Sequence, residues 1–421
     1  MPRAACGTRS HLRRRRANLA RGGQGMLRIP VESRASRTAS AWVEVDLGAI
    51  AHNVRVLRSV LAPGARLIAV VKSDGYGHGM LRVARAALGA GADELAVASV
   101  AEGAALRTAG IAAKILVAGP IAAEQAHAVV QHGLVVGVGC HEVAAALARA
   151  TRRFFPVQIE VDTGMSRHGV APGELMSFVD VIEARGRLAI SGVFTHLSGV
   201  TADDLPRMRR QLAQFTAAVD GVRSLRGVRR HVCNTLGALL LPEAAFDGVR
   251  IGGGLYGFDP LAGAGPVRLR PALSLKARIV GLRKAAVGER VGYGGTFTCR
   301  RPSRLATLPI GYGDGLVREL WRGAEVLVRG RRAPIVGEIS MNQTVVDCTD
   351  LPEVVFGEEV VLLGSIGGEE VAVADRVPPG GSAYEVTSVL QPRLPRVYVG
   401  ADRDREGRDP TEREDPRGMR R

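Results

Sequence analysis

From about residue 41 to residue 250, short apolar runs alternate with alanine-rich amphipathic segments, and this rhythm leaves the chain few folds. The stretches 42–46, 67–72, 94–99, 114–118, 134–139, 157–161, 190–196 and 230–233 read as strands. Helical periodicity falls between them, at 47–61, 80–90, 101–109, 142–151, 172–184 and 204–224. Such alternation implies α/β architecture with a parallel sheet, and about eight units imply a closed (β/α)8 barrel of the TIM type. An open doubly wound sheet is the rival, but no Gly-x-Gly-x-x-Gly opens a helix after the first strand. After Pro271, Val, Thr, Gly and Pro dominate, and strands recur at 273–280, 289–292, 304–309, 325–328, 343–346 and 359–363. That texture predicts a second, mostly antiparallel β domain. The expected division is a basic disordered extension over 1–40, a barrel over 41–271, a β domain over 272–400 and a charged disordered tail over 401–421.

Composition narrows the class. At 46% hydrophobic residues the 421-residue chain can bury large cores. No run approaches the ~18 apolar residues of a membrane span. The expectation is therefore a soluble protein without a membrane partner. The net charge of +16 is concentrated at the start, where residues 1 to 40 hold ten arginines against the single acid Glu32. Aromatic residues make up only 4%, too few for a stacking platform on single strands, so no specific nucleic-acid partner is expected. The arm reads as a solvated extension, or as a start placed too early with Met26 a later candidate. It is Arg-rich and acid-poor like a transit peptide. No apolar stretch follows Arg13 to Arg16, so it is not a secretory signal and a cytoplasmic location is expected. The five cysteines (6, 140, 233, 299 and 348) contain no Cys-x-x-Cys pair, which points to reduced, scattered thiols and no metal site.

The segment Ile68-Ala69-Val70-Val71-Lys72-Ser73-Asp74-Gly75-Tyr76-Gly77-His78-Gly79 carries the most chemistry. Four apolar residues run into a lysine and then a glycine-rich turn. At the rim of an apolar interior, desolvation lowers a lysine's pKa and frees a nucleophilic amine suited to Schiff-base formation. The plainer reading is a strand cap pointing into water, and the spacing alone leaves both open.

Taken with the rest of the chain, this segment resembles the alanine racemase family, over about residues 41 to 400 and both expected domains. The resemblance implies that Lys72 carries pyridoxal 5'-phosphate (PLP) and that the substrate is L- or D-alanine, made into D-alanine for peptidoglycan. It also implies a two-base reaction. Racemisation needs an acid/base on each face of a planar carbon; Lys72 matches one and Tyr293, in Val291-Gly-Tyr-Gly-Gly-Thr296, matches the other. His196, in Phe194-Thr-His-Leu-Ser198, matches the histidine that orients this tyrosine. Arg250, in Gly248-Val-Arg-Ile-Gly-Gly-Gly-Leu-Tyr-Gly257, matches the arginine facing the pyridine nitrogen. A guanidinium keeps its charge and cannot protonate that nitrogen as an acid would.

The same resemblance places phosphate contacts at the backbone of Gly252 and Gly253 and at the hydroxyls of Tyr76, Thr235 and Tyr384, and counts Asn234 among the cofactor-binding residues. Arg167, in Asp162-Thr-Gly-Met-Ser-Arg-His-Gly169, matches the arginine near the PLP phenolic oxygen and the substrate carboxylate. Met341 matches a backbone contact to that carboxylate, and Tyr312 a tyrosine of the access corridor with Arg318 farther along it. In the family, the counterparts of Tyr293, Tyr312 and Met341 enter the site from the other subunit, which implies a homodimer with composite sites.

Three departures stand out. Glu160 occupies the place of a lysine that is carbamylated in many family members, and is expected to hold Arg167 by a charge-assisted contact. Asn342 stands where Asp is usual, and Glu338 where an arginine of the corridor often lies. They open an alternative, an amino-acid racemase of broader range that includes serine. A barrel-type PLP decarboxylase is the more distant alternative; such enzymes place an acid opposite the pyridine nitrogen, where this chain has Arg250.

Overall fold

Apolar strands joined by amphipathic helices bury most of their surface only by closing on themselves, and this chain does so once. In the computed structural model, residues 38–400 are described. Most of the expected extension and the tail over 401–421 lie outside the described residues. After β1 (Ala41–Asp46), eight strands form a closed parallel barrel: β2 (Arg66–Val70), β3 (Glu94–Val97), β4 (Ile115–Val117), β5 (Val135–Val138), β6 (Phe155–Glu160), β7 (Leu188–Phe194), β8 (Arg230–His231) and β9 (Gly248–Ile251). Inside the barrel, Ile68, Ala96, Leu116 and Val135 pack into one apolar cluster. Outside it, the helices lay residues such as Ile50, Val83, Leu106 and Leu147 against the strands in a second, larger core.

The helix starts are set locally. The Asp46 side chain accepts from Ala49 N at 3.0 Å and begins Leu47–Ser59. Ser99 and Glu102 form a reciprocal capping box for Val100–Thr108. The second oxygen of Glu102 accepts from Ser73 N at 2.6 Å, so this helix start also tethers the turn after Lys72.

The remaining strands build the β domain: β10 (Leu273–Arg278), β11 (Gly281–Ala285), β12 (Arg290–Val291), β13 (Phe297–Thr298), β14 (Ser303–Leu308), β15 (Glu325–Val328), β16 (Arg331–Pro334), β17 (Thr344–Asp347), β18 (Glu359–Ile366), β19 (Glu369–Val371) and β20 (Arg396–Val399). The main sheet runs β16-β15-β18-β10-β1-β20, with β19 beside β18. Its core includes Val43, Val45, Leu275, Ala277, Val326, Val360 and Leu362.

One expectation is corrected here. The sequence reading counts 42–46 as the first barrel strand, whereas β1 pairs antiparallel with β10 and parallel with β20 in the β domain. The barrel closes instead through β9, which pairs with β2 and β8. An apolar strand announces that it is buried but not against which partner, and the partner of β1 lies more than 200 residues away. Among the described residues, no helix is long and apolar enough to cross a membrane.

Candidate active site

Lys72 lies two residues beyond the end of β2, at the C-terminal mouth where barrels of this type place their chemistry. The chain then turns left-handed: Ser73, Asp74, Gly75 and Tyr76 have φ of 54°, 52°, 62° and 54°. This costs L-residues roughly 1 kcal/mol each, a strain that glycine escapes. The Glu102 tether and a bond from Met80 N to Asp74 Oδ1 at 2.8 Å offset it. Lys72 is thereby fixed at the rim of a cavity of about 710 Å³, shared with Tyr76, Arg167 and His196. Asn234, Thr235, Arg250, Gly252, Gly253 and Tyr384 line the same cavity. Burial lowers the Lys72 pKa, and the nearby Arg167 lowers it further while Glu102 pulls it back.

Arg250, projecting from β9, is buried and heavily engaged. It donates to the carbonyls of His231 (2.8 Å), Thr195 (2.7 Å) and Val232 (3.1 Å). It also reaches Nδ1 of His231 at 2.6 Å and Nδ1 of His196 at 3.3 Å. A guanidinium only donates, so both imidazoles accept at Nδ1 and carry their proton on Nε2. His231 passes that proton to Gln158 Oε1 at 2.8 Å. Burial brings the Arg250 pKa down to about 10, opposed by the Glu160 charge, so it remains a cation near neutrality. Burial, then Arg250, Arg167 and Lys72, push His196 down to about 3. His196 is therefore a neutral donor held at a fixed tilt.

On the far side of Lys72, two hydroxyls converge over bare backbone. A Cβ on Gly252 would lie 2.7 Å from Tyr76 Oη, and one on Gly253 would lie 2.6 Å from Tyr384 Cε1. The absence of side chains thus creates a cradle where an anion can reach backbone and phenols together. Tyr76 stacks on Tyr256 at 4.7 Å, and burial pushes its phenol above the ordinary range, so it is a donor there. Thr235 Oγ1 accepts from Gly254 N at 3.2 Å and keeps its own hydrogen. Asn234 is occupied differently: its side chain caps Thr235–Leu240 through Gly237 N at 2.9 Å and donates to Leu197 O. That leaves Thr235, more than Asn234, available to an anion.

Tyr293, Tyr312 and Met341 do not line this cavity. They stand on the β domain and are 69%, 41% and 56% exposed. They nevertheless share one neighbourhood. Gly292, at φ 76°, packs against the backbone of Gly337 and Glu338, and Glu338 pairs with Arg318 at 2.7 Å. Arg318 lies over the Tyr312 ring at 5.9 Å, and Met341 O accepts from Gly313 N at 2.8 Å. Asn342 is tied to Asp314 at 3.5 Å, and Asp314 to Arg393 at 2.8 Å.

The expected Glu160–Arg167 contact is not formed. Glu160 pairs with Nδ1 of His168 at 2.9 Å, and among the described residues the Arg167 guanidinium has no protein partner. The loop turns His168, rather than its neighbour, toward the strand end. Sequence reasoning missed His168, which adjoins Arg167, and His231, which lies within the strand read over 230–233.

Comparison with known proteins settles the family. The model for the alanine racemase N-terminal domain matches residues 45–260, and that for its C-terminal domain matches residues 272–398. The chain belongs to the alanine racemase family. It is 42% identical over 367 residues to an alanine racemase of Symbiobacterium thermophilum, covering 85% of this chain and 97% of that one. The crystal structure of alanine racemase from E. faecalis superposes with a TM-score of 0.81 at 33% identity, over 86% of this chain and 98% of that one. A histidine racemase from Leuconostoc mesenteroides superposes with a TM-score of 0.79 at 27% identity, over 86% and 98%. The alanine racemase family accounts for the two-part architecture, and its members are isomerases acting on amino acids. This racemase interconverts the enantiomers of alanine.

Proposed function

We propose that this alanine racemase holds PLP at the barrel mouth and works as a homodimer in which each site takes Tyr293, Tyr312 and Met341 from the other subunit. The observation that carries the reading is the division of matched residues between a buried cavity and an exposed patch. Large apolar side chains exposed together mark a surface that another protein covers.

The residues of the cavity fit PLP in kind and place. Lys72 offers an amine whose pKa burial lowers, the Gly252–Gly253 cradle with Tyr76, Tyr384 and Thr235 offers phosphate donors, and Arg250 offers a fixed cation for the ring nitrogen. When bound, PLP supplies the electron sink that makes the substrate α-proton labile. Arg250 stays charged and keeps its proton, which limits how far negative charge can move onto the ring. Lys72 Nζ takes or returns the α-proton on one face. Tyr293 of the partner subunit does so on the other. The Nε2–H of His196, directed through Arg250, can donate to that phenolic oxygen and stabilise its anion, since a free tyrosine titrates near ~10. Arg167, whose guanidinium has no protein partner among the described residues, is left to meet the substrate carboxylate.

A second reading, a broader amino-acid range, is favoured by the likeness to a histidine racemase and by Glu338 and Asn342 in the patch. A panel of L-amino acids followed by chiral analysis separates the two. Alanine racemised far ahead of serine and histidine supports alanine selectivity, and comparable rates support the broader range. CO2 or pyruvate as the main product would contradict racemisation itself.

A further inference from the structure

Two segments from different domains meet over the Gly252–Gly253 cradle. The turn after Lys72 brings Tyr76, and the helix Ala383–Ser388 brings Tyr384. Their rings meet edge to face, with centroids 5.7 Å apart. The backbones behind the rings are close as well. Gly77, at φ 83°, leaves room for the carbonyl of Thr387, and Gly79, at φ 90°, leaves room for the hydroxyl of Tyr398 on β20. A Cβ at either position would overlap those atoms.

The Arg396 side chain binds these two segments together. Half-buried at the start of β20, it donates through Nε to Gly77 O at 3.1 Å. Its Nη1 donates to Gln391 O at 2.6 Å and Leu394 O at 2.8 Å, and its Nη2 to Leu390 O at 2.8 Å. Gly77 directly follows Tyr76, and Leu390 N donates to Thr387 O at 3.3 Å, within the helix that carries Tyr384. A guanidinium is a planar fork with fixed angles among its donors, so bonds to both segments fix their separation. The strand does not depend on this side chain for its own place. β20 is held by backbone pairing with β1, where Arg396 lies opposite Val43 and Val43 N donates to Pro395 O at 3.0 Å.

We propose that Arg396 is a positioning residue for cofactor capture: it holds the turn of Lys72 and Tyr76 at a set distance from Tyr384, so that one amine and two phenols meet the same PLP molecule. The inference rests on the reading that PLP sits at the barrel mouth. Arg396 does not line the cavity and acts only through the carbonyls it holds. A lysine in its place carries the same charge but gathers its donors at one point, which cannot span both segments.

The test compares wild type, R396A, R396K and R304A. Arg304 is a matched control: it also ties carbonyls, those of Leu351, Pro352 and Val354, and it does not line the cavity. Equilibrium titration of each full-length apoenzyme gives the PLP Kd, and melting gives Tm. Hydrogen exchange on the holoenzymes reads the amides of residues 72–79 and 383–391. R396A is expected to raise the PLP Kd about tenfold and R396K about threefold, with faster exchange in both segments. R304A is expected to lower Tm as R396A does, yet to leave the PLP Kd and both segments near wild type, which separates positioning from lost stability. R396K is the gentler change and carries the test if R396A does not fold. The proposal is overturned if R396K binds PLP as wild type does, if neither segment exchanges faster, or if R304A weakens PLP binding as much as the Arg396 variants. If the wild-type chain takes up no PLP, the reading of the barrel mouth fails and this inference falls with it. If wild type binds PLP and the Arg396 variants bind it equally well, only the role of Arg396 fails.

Discussion

The barrel mouth and the β-domain patch carry chemistry in opposite ways. At the mouth, Arg250 is buried, its guanidinium held by three carbonyls and two imidazoles, and His196 is locked into one tautomer by it. On the patch, Tyr293, Tyr312 and Met341 stand in solvent and are ordered mainly by backbone turns. The first region is preorganised within one chain. The second is a patch of exposed side chains, and we propose that the mouth of a second copy covers it.

The predictions probe that contrast from its strongest to its weakest consequence. Lys72→Ala removes both the anchoring amine and one acid/base, and racemisation is expected to fall by at least ~10⁴-fold, measured by chiral analysis of alanine. Tyr293→Phe removes the other, with a loss of roughly 10²–10⁴-fold and proton exchange retained from one enantiomer only, read by deuterium incorporation. Gly253→Ala places a Cβ against the Tyr384 ring, and the affinity for PLP is expected to fall about tenfold or more in equilibrium titrations. A change confined to the patch should leave that affinity untouched, and Met341→Ala is the control.

The smallest effect concerns charge. Arg167 depresses the Lys72 pKa and Glu102 raises it. Removing the cation in Arg167→Gln raises that pKa, so the free amine at a given pH becomes scarcer. The pH profile for PLP uptake by apoenzyme should then move to higher pH. Glu102→Gln removes the opposing charge and should move it to lower pH. Shifts in the same direction for both variants would contradict this electrostatic account.

How much of this was legible in the sequence follows the same division. The barrel was readable because each unit carries its own signal, an apolar run followed by an amphipathic helix such as Met80–Gly89. The destination of β1 was not readable, because Ala41–Asp46 has the same apolar texture whether it joins β2 or β10. The closing strand β9 is only four residues long and sits beside a triple glycine, so periodicity had little to grip. Of the site, residues inside dense motifs such as Lys72 and Arg250 could be matched in place. The pairing of Glu160 with His168 could not, since two adjacent loop residues compete for one carboxylate and only the backbone fold decides.

The central claim is that a working site takes Lys72 from one subunit and Tyr293 from the other. Mixing Lys72→Ala and Tyr293→Phe chains under conditions that exchange subunits tests it most directly. A mixed dimer then holds one doubly altered site and one intact site, and random exchange of equal amounts should restore about one quarter of wild-type activity. If each site were built within a single chain, no mixture could contain an intact one. Activity that stayed at the level of the separate variants, with exchange verified, would contradict the account.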